Sequence, residues 1–356
     1  MKEIKSIHEF LKIVCDRESL IDSMDYGDLK NHFNDSLNDT VKEYRQIINN
    51  LNKENKLAEK TSLASDVLGF INQNYESIYT YKRRLIENKK SNTTERNRLT
   101  FYYRGVKSGT HPIAPGIYRT GEIHQEYYYF NEINVRCPEA FKAVNNLEKL
   151  TYMQHYGCPT RLLDITTNPL VALYFACGGD TEKNGLVYVF AINENDVLYS
   201  SSDRVQMLSK LAEFKKAEQE QLRLYAYRYI LNDSFPQKTS GVYQIPIIER
   251  FYHAIKRNNA GFERDIIPFD ILKPQFVQPN KDNPRILKQD GAFIISGLDQ
   301  DEKESDYKIR KFLVNEIIVD ADSKKMILQE LESICINQAS LFPEVDKVAD
   351  YLRNRA

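Results

Sequence analysis

Apolar and charged positions follow the period of an α-helix through most of the first quarter of the chain. Over residues 36–60, apolar side chains recur at alternating spacings of four and three, at Leu37, Val41, Tyr44, Ile48 and Leu51. Residues 62–88 repeat the pattern, with one stripe formed by Val67, Ile71, Ile78, Tyr81 and Leu85. Such spacing puts apolar side chains on one helical face. The pattern predicts an N-terminal helical region over residues 1–90, with two helices in an antiparallel hairpin.

The apolar stripe of this predicted hairpin has two interpretations. It packs against the following domain, as the apolar face of a helix ordinarily does, or it binds a protein partner, which includes self-association through paired helices. The periodicity is the same in both cases. The sequence therefore leaves both open.

The pattern changes after a polar stretch at residues 87–98, ENKKSNTTERNR, which lacks periodicity and predicts a linker or an exposed loop. Short runs rich in Tyr, Phe, Ile and Val follow, at residues 99–104, 185–192 and 292–295, separated by helical stretches of which residues 205–231 are the longest. This alternation predicts the α+β class over residues 91–356, as a compact mixed sheet with flanking helices.

Charge and hydropathy restrict the binding partners and the cellular compartment that we expect for the protein. The 49 basic and 50 acidic residues nearly cancel, so whole-protein attraction to nucleic acid is not indicated, although a local basic patch leaves nucleic acid open as a target. The longest apolar run, residues 169–177, is too short to span a bilayer. The N-terminus lacks the pattern of a secretion signal. We expect a cytoplasmic protein with no membrane partner.

Cysteine and carboxylate spacing argues against a metal site. The five cysteines are scattered and never form a C-x-x-C pair, which disfavours both a disulfide framework and a structural zinc site. Carboxylates paired at short spacing are scarce, so a two-metal site is not indicated. We expect reduced thiols and no metal cofactor.

The first candidate motif is the strand-like run LTFYYRGV at residues 99–106, which delivers Arg104 to its end. A guanidinium is planar, permanently charged and forked, which suits bidentate binding of phosphate or carboxylate. Gly105 follows at once and permits a sharp turn or a close approach to the backbone. The alternative is that Arg104 forms an internal salt bridge at a domain seam.

The second candidate motif is YMQHYGCPTRLLDITTNPLVALYFA at residues 152–176. It predicts a turn, a short strand over residues 160–165, and a helix capped by Asn168 with Pro169 at its first position. The helix N-terminus attracts anions. Six polar side chains come to this edge: His155, Tyr156, Thr160, Arg161, Asp164 and Thr166.

Each polar residue of the second motif also has a structural interpretation. His155 alone is typical of a hydrogen-bonded structural histidine, and Asp164 could pair with Arg161 or cap the helix. Burying so many polar groups together is costly unless they satisfy one another or a ligand. The density of the cluster is therefore the stronger argument for a site.

The third candidate motif is NPRILKQDGAFII at residues 283–295, which predicts a turn, a short polar segment and a buried strand. Arg285 and Gln289 are four residues apart and would face one site if this segment forms a helical turn. Gln289 can donate and accept hydrogen bonds, but it has no titratable proton and cannot act as a general base.

In this order and spacing, the three motifs resemble the FRG family, named for its Phe/Tyr-Arg-Gly start. The run HYGxPTRLLDxTxNPxxALYFA carries the resemblance most specifically. The resemblance covers about residues 95–355 and leaves the N-terminal helices unaccounted for. It implies a bacterial or phage module that is sometimes found near defence or toxin genes.

The same motifs are also similar to ADP-ribosyltransferases of the Arg-Ser-Glu type, which implies a related fold and NAD as substrate. Arg104 and Gly105 look like the motif that binds the NAD phosphates or ribose, and Asp164 to Thr166 looks like the Ser/Thr motif. Gln289 stands where that family has a catalytic glutamate. Loss of this charge should cost about 3 to 4 kcal/mol of transition-state stabilisation. The replacement carboxylates we consider are Asp164, preferred, and then Glu249, Glu263 and Asp290.

Three functional hypotheses follow. The first is an NAD-using transferase or glycohydrolase, acting as a toxin or defence effector. In it His155, Tyr156 and Asp164 surround the reacting centre, with Gln289 at the glutamate position. Its NAD-binding residues are Arg104, Gly105, Thr160, Arg161 and Thr166. The second is a non-catalytic nucleotide- or nucleic-acid-binding module whose N-terminal helices bind a partner. The third is a metal-independent nuclease using His155 with Arg161.

Overall fold

The computed structural model describes residues 2–16, 99–109, 112–141, 145–179, 182–231, 245–262 and 266–355. Both predicted N-terminal helices, at residues 36–60 and 62–88, and the predicted linker at residues 87–98 lie outside the described residues. The helical hairpin and its partner therefore stay predictions, whereas residues 2–4 of the predicted helical region over residues 1–90 form a strand.

The described residues contain eight strands and thirteen α-helices. The strands are β1 (Lys2–Ile4), β2 (Leu99–Val106), β3 (Leu162–Thr166), β4 (Gly185–Asn193), β5 (Leu198–Tyr199), β6 (Gln275–Gln278), β7 (Gly291–Ile295) and β8 (Leu313–Val319). The helices are α1 (Ile7–Cys15), α2 (Gly116–Arg119), α3 (Glu126–Arg136), α4 (Asn146–His155), α5 (Pro169–Cys177), α6 (Asp203–Lys210), α7 (Lys216–Leu231), α8 (Pro246–Asn258), α9 (Pro284–Lys288), α10 (Glu302–Arg310), α11 (Lys324–Ser333), α12 (Gln338–Leu341) and α13 (Val345–Arg355).

All eight strands form one mixed sheet in the order β1-β8-β4-β2-β3-β7-β6-β5. The outer pairs, β1 with β8 and β5 with β6, are parallel, and the inner pairs are antiparallel. Helices flank this sheet, so the predicted α+β class is confirmed. The likeness to ADP-ribosyltransferases stays a prediction.

The first described residues belong to this sheet. Strand β1 pairs with β8, with Lys2 opposite Ile317 and Ile4 opposite Val319. The Ser6 side chain caps α1 by accepting from the Glu9 backbone N–H, and Phe10 is buried in the core shared with α5 and α11. Residues on both sides of the segment 17–98 therefore share one sheet.

Helix α5 lies directly on the backbones of β2 and β4. The predicted cap is confirmed, because the Asn168 side chain accepts from the Leu170 N–H at 3.0 Å and Pro169 opens the helix. A Cβ at Gly105 would lie 1.7 Å from the carbonyl oxygen of Ala172, well inside van der Waals contact. Gly105 is therefore required by helix packing, which gives it a structural role that the sequence did not predict.

The predicted long helix over residues 205–231 is divided in the structure. Helix α6 ends at Lys210, a 3-10 turn follows at Leu211–Glu213, and α7 begins at Lys216. Phe214 takes an extended conformation between them and buries its ring against Phe251, with 5.3 Å between ring centroids. The prediction of one helix was wrong because burial of this aromatic ring outweighs local helix propensity.

Candidate functional site

A cavity of about 240 Å³ lies against the middle of the sheet, over β2, β3 and β7, with walls from α4, α5 and α9. The apolar and glycine lining residues are Tyr103, Gly105, Ile165, Val171, Phe175, Ile286, Gly291, Ala292 and Phe293. The polar lining residues are Arg104, Thr151, Gln154, His155, Asp164, Thr166, Asn283, Arg285 and Gln289. The cavity thus brings together side chains from all three sequence motifs.

Arg104 lines the cavity where β2 and β3 separate. These two strands share a single residue pair, Tyr103 with Thr166, and the Arg104 Nη1 donates to the Asp164 backbone oxygen at 2.6 Å. Among the described residues, that is the one acceptor of its five N–H groups. Burial lowers the pKa of Arg104, the Asp164 charge raises it, and the Arg119 charge lowers it further. The guanidinium nevertheless keeps its proton, as arginine does in proteins. A charged donor is left for a ligand.

Asp164 is the one carboxylate among the described residues that line the cavity. It projects from the middle of β3, is exposed, and its Oδ1 accepts from the Gln154 Nε2 at 2.7 Å. The Gln154 Oε1 in turn accepts from the Thr160 hydroxyl. Asp164 therefore has a fixed orientation and further lone pairs that face solvent.

Thr166 holds the walls of the cavity together. Its hydroxyl donates to the Gln289 backbone oxygen at 2.7 Å and accepts from the Asn168 N–H at 2.9 Å. These bonds join the end of β3 to the end of α9 and to the start of α5. Because the hydroxyl proton is already donated to the protein, the contribution of Thr166 is to shape the cavity.

His155, the last residue of α4, is mostly buried at the cavity wall. Its Nε2 lies 3.1 Å from the Glu344 Oε1, and the Tyr156 ring contacts it edge-on at 4.8 Å between centroids. Burial lowers the pKa of His155 from 6.5, the Arg285 charge lowers it further, and Glu344 opposes both. The imidazole is therefore neutral at pH 7.

Residues 338–344, here called the C-terminal segment, contact several lining residues of the cavity. The Gln289 Nε2 donates to the Leu341 oxygen at 3.0 Å, and the Arg285 guanidinium lies over the Phe342 ring, 4.7 Å from its centroid. The Phe342 ring also meets Phe175 edge-on at 6.0 Å. The family resemblance predicted from the sequence includes this segment, but no role at the site was predicted for it, since its Phe and Glu lie far from the motifs and carry no spacing signal of their own.

Residues 99–185 match the family model of the FRG domain. The chain carries an FRG domain. The match covers β2, α4, β3 and α5, and hence Arg104, His155, Asp164 and Thr166, whereas Arg285, Gln289 and the C-terminal segment lie beyond it. Searches of curated proteins and of solved structures found no match to the chain.

Two surveys of the described part of the chain bear on metals and membranes. Within the described residues, no group of three or more His, Cys, Asp or Glu side chains is arranged to hold a metal ion. None of the helices in that part combines the length and the apolar character needed to cross a bilayer.

The structure places Arg161 outside the cavity, in the core. Its Nε and Nη2 donate to the two carboxylate oxygens of Glu126, and its Nη1 donates to the Ser296 and Gly297 backbone oxygens at 3.2 and 3.1 Å. The side chain has no exposed surface. The prediction that Arg161 binds a ligand is thereby corrected, and it cannot act with His155 in a nuclease.

Two further predicted site residues lie outside the FRG cavity lining. Thr160 is buried and is connected to the cavity only through its hydrogen bond to Gln154. Its role is therefore to orient the Gln154 side chain, and it does not bind a ligand. Tyr156 is 69% exposed and packs against Tyr152 and His155 at the outer surface. The six polar residues of the second motif thus divide into cavity residues, supporting residues and a core arginine.

The lowered pKa of His155 predicts a pH dependence of stability. The native state binds this proton less readily than the unfolded chain, so the stabilisation is full above pH 6.5 and is lost as pH falls through the folded-state pKa. We expect the free energy of unfolding in urea to fall more between about pH 7.5 and about pH 5 for the wild type than for His155→Gln. Parallel pH dependence in the two proteins would contradict the assignment.

Proposed function

We propose that the cavity binds the nicotinamide mononucleotide half of NAD and that the protein cleaves NAD, transferring ADP-ribose to an acceptor or to water. The observation that carries the proposal is that Arg104 on β2 lines one cavity together with Asp164 and Thr166 on β3, about 60 residues further along the chain. A phosphate-binding cation, a carboxylate and a ribose-sized polar space are the parts that this chemistry needs.

The charge of the cavity favours an anionic ligand. Arg104 and Arg285 supply two permanent positive charges, His155 is neutral at pH 7, and Asp164 supplies one negative charge. Forked guanidinium groups suit phosphate oxygens. A cavity of 240 Å³ is smaller than usual small-molecule pockets of about 300 to 1,000 Å³, so a dinucleotide would leave its second half outside.

Asp164 is the residue we assign to the transition state. When the bond between the ribose C1′ and the nicotinamide nitrogen breaks, its electron pair leaves with nicotinamide and positive charge develops on the sugar. A preorganised group aimed at such charge contributes about 3 to 4 kcal/mol. Gln289 lacks the charge and gives its amide N–H to Leu341, so Asp164 takes that role.

The cellular role is proposed on the resemblance described above. We propose a toxin or phage-defence effector that acts in the cytoplasm on NAD and needs no metal ion. We further propose that the predicted N-terminal helices, at residues 36–60 and 62–88, bind a protein partner or a second copy of the chain.

Asp164→Asn tests the chemistry. We expect purified wild-type protein to release nicotinamide from NAD, and Asp164→Asn to lower turnover by about a hundredfold or more while changing the Kd for NAD little. Asp282→Asn is the matched control, because it removes an exposed carboxylate near α9 that does not line the cavity. Equal turnover in the two variants would reject Asp164 as the transition-state carboxylate.

Arg285→Gln and Arg104→Gln test the binding. Each removes a charged donor, and we expect the Kd for NAD, measured by calorimetry, to rise by about ten- to a hundredfold, in line with about 1.5 to 3 kcal/mol for a hydrogen bond to a charged group. Lys288→Gln, on the exposed side of α9, removes the same charge and should leave the Kd unchanged. Unchanged binding in both arginine variants would place NAD elsewhere.

One observation favours a second function, non-catalytic nucleotide binding. In the resemblance to ADP-ribosyltransferases, Gln289 stands at the position of the catalytic glutamate. It lines the cavity without a negative charge, and its amide N–H donates to the C-terminal segment. NAD binding that depends on Arg104 and Arg285, without nicotinamide release under any tested condition, would support this function over turnover.

A further inference from the structure

Glu344 is a carboxylate that the motifs do not include and that contacts His155, a lining residue of the cavity. It belongs to the C-terminal segment, just before α13, and its Oε1 lies 3.1 Å from the His155 Nε2. Its Oε2 is buried and has no hydrogen-bond partner among the described residues. The carboxylate is thus aimed at one imidazole rather than shared in a surface network.

The contact favours one tautomer of His155. An ionised carboxylate only accepts hydrogen bonds, so its approach to Nε2 favours the ring that carries its proton on Nε2. A neutral imidazole of this kind has its lone pair on Nδ1. His155 also lines the cavity, so the ring can contact a bound ligand.

The charged groups around the ring come from three elements. Arg285 on α9 disfavours protonation of the imidazole, whereas Glu344 and Asp346, the latter in the first turn of α13, favour it. At rest burial and Arg285 prevail and the ring is neutral. Once Nδ1 accepts a proton, the adjacent Glu344 charge stabilises the imidazolium.

We propose that Glu344 is a positioning residue that orients His155, and that His155 Nδ1 accepts the proton of the attacking nucleophile. The proposal rests on the proposed function. It assigns the C-terminal segment, which lies outside the residues that match the FRG family, to the reaction.

The step balances without a further reagent. The oxygen of water or of an acceptor hydroxyl forms a bond to the ribose C1′ and gives its proton to His155 Nδ1. The C1′–N bond breaks and its electron pair leaves with nicotinamide. The His155 proton then passes to solvent, which restores the neutral ring.

Nitrogen-15 NMR of the ligand-free full chain tests the pairing independently of turnover. We expect His155 to carry its proton on Nε2, and Glu344→Gln to lower the pKa of His155, since the negative charge that supports protonation is lost. Asp346→Asn is the matched control, because it removes the same charge two residues away from an exposed side chain that pairs with Lys347. Its effect on the pKa should be smaller. An Nδ1-protonated ring, or equal shifts in the two variants, would overturn the proposal.

Steady-state kinetics test the role in the reaction. We expect His155→Ala to lower kcat for nicotinamide release by about a hundredfold or more, and Glu344→Gln by about tenfold or more, with KM for NAD little changed. The acid limb of the kcat profile should move to lower pH in Glu344→Gln, and Glu344→Asp should recover part of the loss. A purely structural Glu344 would instead lower thermal stability and leave the pH profile in place, which would overturn the proposal.

The two proposals fail in different ways. If the wild type binds NAD but releases no nicotinamide, turnover is rejected, and with it the base role of His155, whereas the NMR tautomer still decides whether Glu344 orients the ring. If nicotinamide is released and His155→Ala turns over like the wild type, the proposed function stands and the present inference is rejected.

Discussion

Glu126→Ala is expected to lower the free energy of unfolding by about 3 to 5 kcal/mol, the largest loss that we anticipate for a single side chain here. Arg161 has no exposed surface and Glu126 is 2% exposed, so removal of the carboxylate leaves a buried guanidinium without its counter-charge. The Gln219 amide, which donates to Glu126 at 2.9 Å, loses an acceptor as well. Urea denaturation monitored by circular dichroism would measure the change.

The control for this prediction lies on the same helix. Glu132→Ala removes a carboxylate that pairs with Arg136 at 2.9 Å on the surface of α3, where exposed pairs contribute about 0 to 1 kcal/mol. Comparable losses of unfolding free energy in Glu126→Ala and Glu132→Ala would show that the buried Arg161–Glu126 pair contributes less to stability than we expect. The double change Arg161→Met with Glu126→Leu should recover part of the loss, because no charge is then left buried.

Gly105→Ala is expected to lower both stability and ligand binding. The added Cβ would lie 1.7 Å from the Ala172 carbonyl oxygen, so α5 must move away from β2. Overpacking of this kind costs about 1 to 3 kcal/mol or more. Because Val171 and Phe175 of α5 line the cavity, the same movement should raise the Kd for NAD.

Gly116→Ala is the matched control for that substitution. Its nearest neighbour to an added Cβ is a Pro159 carbon at 3.6 Å, an ordinary contact. Thermal unfolding and NAD calorimetry on both variants give the comparison. Equal melting temperatures for Gly105→Ala and Gly116→Ala would contradict the close packing of α5 on the sheet.

Sequence predicted the parts of the fold that depend on local signals. The run from residue 152 to residue 176 was predicted as a turn, a strand and a capped helix, and the structure has β3 at Leu162–Thr166 and α5 capped by Asn168. Turn residues, β-branched runs and caps act over a few positions, so their effect is visible in the chain itself. The α+β class followed from the alternation of such elements.

The sequence did not predict the role of side chains whose contacts are with residues far away in the chain. Arg161 was predicted to bind a ligand because it stands among polar residues, but its partner Glu126 lies on α3, a helix with no recognisable link to that motif. No role at the site was predicted for the C-terminal segment for the same reason, since Glu344 and Phe342 contact the cavity residues His155 and Arg285 only in the tertiary fold. No periodicity or spacing in the chain encodes either contact.

The pairing of β1 with β8 sets the order in which the sheet can form during synthesis. Lys2 lies opposite Ile317, so β1 must wait roughly 15 to 60 s for its partner at synthesis rates of about 5 to 20 residues per second. A strand waiting that long is exposed to pairing with other nascent chains. Strand β1 is only three residues long and includes the charged residues Lys2 and Glu3, which limits pairing with other chains. Strand β1 can join the sheet only after β8 has left the ribosome.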